Sequence, residues 1–158
     1  MKVECWAIGK TQDKYLLDGL GVFDRRLRHY LPFEWVELPD IKNAGKLQPE
    51  QVREQEGELI LRRLRPEDRL VLLDEKGKNF SSVEFAAHLD RQLQQQAKRL
   101  IFQIGGAYGF SQAVYQRANE QLSLSRMTFS HQMVRLFLLE QLYRAMTILR
   151  NEPYHNAG

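Results

Sequence analysis

Two stretches of this chain, Arg69 to Leu73 and Arg99 to Ile104, read as apolar strands with no polar alternation. A strand that faces water on one side alternates. One that does not is covered on both sides, which is the habit of a parallel sheet between helix layers. The remaining sequence supplies those layers. Lys2 to Ile8 reads as a strand ending at Gly9, and Thr11 caps a helix to about Tyr30 with Leu16, Leu20, Phe23 and Leu27 on one face. Leu31-Pro32 ends that helix, and Phe33 to Leu38 is a second strand. After a polar loop, Pro49 opens a charged helix to about Arg65. Asp74-Glu75-Lys76-Gly77 reads as a turn after the third strand. Ser81 or Ser82 caps a helix to about Gln94, and Ser111 caps another to about Gln121. Leu122 to Leu124 reads as a short strand, and Ser130 caps a final helix to Leu149. The expectation is one α/β domain over residues 1–158, with a mostly parallel sheet and helices on both faces.

Composition narrows the class. The hydrophobic content of 43% and charged content of 27% fit a globular domain and exclude a disordered chain. A single cysteine, Cys5, allows no intrachain disulfide, as expected of a cytoplasmic protein. Val3 to Ile8 is interrupted by Glu4 and is too short for a signal peptide or a membrane span, so no targeting segment, membrane or metal is expected. The net charge of +3 is weak evidence. Its distribution says more: from Arg91 to Arg135 there are six basic residues and one acid, Glu120. That segment suits a phosphate-bearing partner about as well as it suits a plain solvated surface.

The last helix is apolar around most of its circumference, with Val134, Leu136, Phe137, Leu139, Leu142 and Met146 among its members. A helix on a small sheet has one face to bury, so a second partner is expected. A two-fold homodimer contact would supply it; a central helix in a monomer is the plainer alternative.

Two loops carry the functional signal. Ile104-Gly105-Gly106-Ala107-Tyr108-Gly109-Phe110 is a glycine turn directly after an apolar strand. Leu124-Ser125-Arg126-Met127-Thr128-Phe129-Ser130-His131-Gln132 is a polar loop that opens the last helix. Loops at strand ends of an α/β sheet are where ligands sit. Alone, the glycine turn is better explained as a simple turn, and it lacks the spacing of a dinucleotide fingerprint. Together with Glu140 to Ala145, Pro153-Tyr154-His155, Ala7 to Lys10 and Glu54 to Gly57, these motifs occur in the order of a known family. On them, nearly the whole chain resembles the RlmH family.

The resemblance implies a SPOUT-class methyltransferase with a C-terminal trefoil knot, working as a homodimer in the cytoplasm. It implies S-adenosyl-L-methionine as cofactor, and N(3) of a pseudouridine in helix 69 of 23S ribosomal RNA, on assembled ribosomes, as target. It also implies that Leu73, Gly105 and the run Leu124, Ser125, Arg126, Met127, Thr128 and Phe129 hold the adenosine. The residue types agree. Gly105 and Gly106 let backbone approach a ligand, Leu73, Leu124, Met127 and Phe129 supply apolar walls, and Ser125 and Thr128 supply hydroxyls. Ser130 stands where that family carries proline before the histidine, a departure that bears on the rigidity of the loop.

Methyl transfer to an imide nitrogen needs alignment of the reacting atoms and a way to remove the imide proton. Histidine is the side chain suited to proton handling near neutral pH, which makes His131 and His155 the candidates. Arg135 lies one turn beyond His131 on the same helix face and, with Arg126, is a candidate for anion contacts. Tyr154 and His155 sit on a tail that a second copy can receive. His131 is equally well read as a helix N-terminal residue bonded to backbone. Rival readings are a related knotted methyltransferase acting on transfer RNA and a non-catalytic RNA-binding dimer.

Overall fold

β4 (Arg99–Ile104) is the middle strand of a five-stranded sheet, and all six of its residues are buried. The computed structural model describes residues 1–156; Ala157 and Gly158, the end of the expected domain, lie outside the described residues. Around β4 the order is β2 (Phe33–Leu38), β1 (Lys2–Ile8), β4, β3 (Arg69–Asn79), β5 (Glu120–Ser123), every neighbouring pair parallel. The helices are α1 (Lys14–Arg28), α2 (Pro49–Arg63), α3 (Ser82–Leu93), α4 (Gln112–Arg117) and α5 (Met133–Leu149).

Residues of the central strands point alternately into two separate cores. Val3, Cys5, Val71, Leu100 and Phe102 pack with α1, α3 and α5, whereas Trp6, Leu70, Leu72 and Ile101 pack with α2 and α4. Both faces are therefore covered, which is why these strands carry no polar alternation. At the N-terminal edge of the sheet Arg99 is buried between Asp68 (Nη2 to Oδ2, 2.5 Å) and Glu4 (Nη1 to Oε2, 3.3 Å). Trp6 Nε1 donates to the same Glu4 carboxylate at 2.8 Å, so the charges are enclosed but paired.

Three local expectations are corrected. Thr11 does not cap α1, which starts at Lys14 after Asp13; its hydroxyl donates instead to Glu37 Oε2 at 2.6 Å. Asp74 to Gly77 does not end the third strand. Leu122 pairs with Leu73 before it and with Lys78 after it, so these residues form an extruded irregularity inside one long β3. α4 ends at Arg117 rather than Gln121, because Glu120 and Gln121 already pair with Val71 and Leu72 in β5.

α5 lies between α1 and α3, on the face of the sheet those two helices cover. Leu138, Leu139, Leu142, Ala145 and Met146 are buried, and Leu136 lies against Gly19 of α1. Much of its apolar circumference is thus met inside one chain, leaving Phe137 37% exposed. No described helix is long and apolar enough to cross a membrane, and no metal-holding group of His, Cys, Asp or Glu occurs among the described residues.

Candidate functional site

β3, β4 and β5 end along one edge of the sheet, and the two signal loops leave from there. Between them lies a crevice of about 490 Å³, within the range of small-ligand sites, about 300–1,000 Å³. Leu73, Ile104, Leu122 and Leu124 line it where the strands end. The glycine turn forms one wall, and Thr128 to His131 with Val134 form the other, with Met127 at the rim. Asp74, Glu75 and Lys76, from the extruded part of β3, also border it.

The polar loop is shaped by its own hydroxyls. Ser123 Oγ donates to the Ser125 carbonyl at 2.8 Å, and Ser125 Oγ accepts from the Met127 N–H at 2.9 Å. Ser130 Oγ accepts the Met133 N–H at 3.0 Å, closing the turn ahead of α5, whose N-cap is Gln132 rather than the expected Ser130. Gln132 fastens the loop to the β1–α1 connection: its Oε1 accepts the Gln12 N–H at 3.1 Å and its Nε2 donates to the Lys10 carbonyl at 3.3 Å. Phe129 packs on Phe137, ring centroids 4.8 Å apart.

Leu73, Gly105, Leu124, Ser125, Met127, Thr128, Phe129 and His131 all border the crevice. Met127, however, is 75% exposed, so it serves the rim rather than a wall. Arg126 is exposed and does not line the crevice. Arg135 shares no ligand-facing surface with His131. It is buried, and its guanidinium donates to the carbonyls of Ile8 (2.7 Å) and Gly9 (2.9 Å) and to Thr11 Oγ1 (2.9 Å). Tyr154 and His155 fold back on their own α5. Tyr154 Oη donates to Glu140 Oε1 at 3.1 Å, and His155 Nδ1 lies 3.0 Å from Arg144 Nη1. Neither touches the crevice of the same chain.

Three of the six basic residues from Arg91 to Arg135 are structural. Arg99 is enclosed, Arg135 holds backbone, and Arg117 Nη2 donates to the carbonyls of Arg65 (3.1 Å) and Asp68 (2.8 Å). The glycines serve packing as much as ligand approach. A Cβ on Gly105 would lie 3.1 Å from the Phe110 ring, and one on Gly106 would meet the Glu56 carboxyl of α2.

Sequence reasoning missed Asp74, Phe110, Tyr115 and Val134 as lining residues. Asp74 accepts from Tyr115 Oη and from the Lys76 N–H (2.8 Å). Burial and that carboxylate push the Tyr115 hydroxyl up to about 12, so it stays protonated and keeps Asp74 oriented. The available signal for Asp74 was its place as the first polar residue after an apolar strand, at the carboxyl end where such sheets bind ligands.

Residues 1–155 match the family described as predicted SPOUT methyltransferase. The chain therefore belongs to the SPOUT methyltransferases, enzymes that move a methyl group from a donor to an acceptor. Proteins named ribosomal RNA large subunit methyltransferase H are similar along their whole length. Those of Parabacteroides distasonis and Cytophaga hutchinsonii are each 54% identical over 156 residues, covering 99% of this chain and 99% and 100% of theirs. That of Flavobacterium johnsoniae is 52% identical, covering 99% of both chains.

Proposed function

We propose that this protein methylates large-subunit ribosomal RNA from S-adenosylmethionine, at N(3) of a pseudouridine in helix 69 of 23S RNA, on assembled ribosomes in the cytoplasm. One observation carries the reading: the two loops that hold the shared motifs close on a single crevice at the carboxyl ends of parallel strands. The residues suit the donor. Leu73, Ile104, Leu122 and Leu124 offer an apolar seat for adenine, and the carboxylates of Asp74 and Glu75 complement a cation. The donor supplies an electrophilic methyl on its sulfonium. In this reading His131, exposed on the rim, takes up the imide proton, and Arg126, exposed on the loop, meets RNA phosphate. In this reading the path from β4 through α4 and β5 to α5 is the knotted part of the chain.

Tyr154 and His155 fit a substrate-side role only through a second copy, because their own crevice does not include them. A homodimer that brings each tail to the partner's crevice reconciles the motif with the geometry. Mixing a His155→Ala protein with one whose crevice is filled by Thr128→Trp should then restore about a quarter of wild-type activity, since half the dimers carry one intact composite site. Absence of recovery from verified heterodimers rejects the shared site.

The activity is tested by incubating ribosomes from cells lacking the protein with enzyme and isotopically labelled donor, followed by mass mapping of helix 69. Label at the pseudouridine is expected. Label only in transfer RNA favours the related transfer-RNA enzymes, and no label with no binding of S-adenosylhomocysteine favours a non-catalytic RNA binder.

A further inference from the structure

Glu56 lies on α2, behind the glycine turn and outside the crevice. It is 8% exposed, and its Oε1 is buried with no hydrogen-bond partner. Such a group in a native protein calls for an explanation. Its neighbours supply one. A Cβ built on Gly106 would stand 2.6 Å from both Glu56 carboxyl oxygens, although Gly106 has no left-handed backbone that would by itself demand glycine. The adjoining Gly57 lies so close to Ser111, which follows the turn, that a Cβ there would stand 2.5 Å from its Oγ. One glycine on each element thus lets α2 press against the turn. The space bounded by Ile8, Arg53, Glu56, Gly106 and Phe110 has no room for a water-sized sphere.

We propose that Glu56 is a positioning residue of the methyl-donor crevice: its carboxyl, wedged behind Gly106, sets the shape of the Gly105–Gly109 turn that walls the crevice from the other side. The proposal rests on the reading that this crevice takes S-adenosylmethionine. Its mechanism depends on protonation. Burial, with the Asp40 carboxylate nearby, pushes the Glu56 pKa up to about 7. The charged groups facing it are Asp40, from the segment after β2, and Arg53, one turn earlier on α2; the surrounding residues of the turn, α4 and β1 are Gly106, Gly109, Phe110, Ser111, Val114 and Ile8, none of them ionisable. As the uncharged acid, Glu56 fits this enclosed seat. As a carboxylate it is a buried charge with an oxygen that nothing satisfies, and the turn must open to hydrate it.

The folded pKa is raised, so the contribution of Glu56 to stability is fully present below its unfolded value and is lost as pH rises through about 7. Glu56→Gln keeps the shape and is uncharged at every pH. It should melt no lower than wild type at pH 5 and clearly higher at pH 8. By calorimetry, wild-type affinity for S-adenosylhomocysteine should fall at least about threefold from pH 6 to 8, while the Gln variant stays flatter. The two proteins differ at this one carboxyl alone, so the difference between their profiles isolates Glu56. A second measurement is independent of titration: Gly106→Ala should weaken binding in the wild-type background and cost little beside Glu56→Ala, where the methyl fills vacated space. Parallel pH profiles of melting and binding, or an equal Gly106→Ala penalty in both backgrounds, overturns the proposal. If S-adenosylhomocysteine binds no form at any pH, the crevice reading itself fails, and the ligand-free melting comparison still decides whether Glu56 strains the turn.

Discussion

Replacing Arg135 with alanine is expected to destabilise the protein by about 3 kcal/mol, the order of the cost of breaking a buried charged network by removing one partner. The side chain is 1% exposed. It ties the start of α5 to the end of β1, two segments 127 positions apart, through the Ile8 carbonyl. Besides the Gly9 carbonyl and Thr11 hydroxyl, its Nε donates to the His131 carbonyl at 3.3 Å. Glu37 lies 3.6 Å from Nη1 and accepts both the Thr11 N–H (3.0 Å) and hydroxyl (2.6 Å). Alanine would remove this donor from the Ile8, Gly9 and His131 carbonyls and leave the Glu37 carboxylate without its counter-charge. Burial lowers the Arg135 pKa, but a guanidinium stays charged, so the network does not titrate near neutrality. Lysine cannot reach this spread of acceptors with one ammonium group and should recover only part of the loss. Urea unfolding at constant slope measures the effect. A loss under about 1 kcal/mol would mean that the network contributes no more than an ordinary exposed pair.

Gly77→Ala is the second large effect, and it acts on the site. A Cβ at Gly77 would lie 2.6 Å from Gln121 C and Leu122 N and 2.7 Å from Leu122 C, all of them backbone atoms of β5. No side chain can swing aside, so β5 must retreat from β3. The pairs Lys78–Leu122 and Asn79–Ser123, and the 2.9 Å bond from Asn79 Nδ2 to the Ser123 carbonyl, are then lost or lengthened. β5 leads straight into Leu124 to Phe129, so its retreat widens the crevice. The expected result is about 1–3 kcal/mol of destabilisation and a loss of about tenfold or more in affinity for S-adenosylhomocysteine, roughly 1.4 kcal/mol. Titration calorimetry beside a melting curve separates the two. Unchanged affinity would show that the crevice tolerates movement of β5.

The unbroken apolar runs at Leu70 to Leu73 and Leu100 to Phe102 determined that a covered parallel sheet would form, because the two-residue period of a strand sends each side chain into one core or the other. The two loops at the strand ends were legible for the same reason: glycine and hydroxyl residues mark where a chain must turn, and parallel strands turn at one common edge. Contacts between distant segments left no such mark. From helix spacing alone Arg135 reads as pointing at one site with His131, and it became the bolt between α5 and β1 only once the sheet set Ile8 and Gly9 beside it. Gly77 and Gly106 read as turn glycines, yet their missing side chains make room for β5 and for Glu56. Tyr154 and His155 read as site residues, and the fold laid them on Arg144 and Glu140 of their own helix, away from the crevice. Periodicity and turn chemistry are local and are written residue by residue. Close approach between backbones and the satisfaction of a buried charge depend on which distant segments meet, and only the tertiary structure decided that.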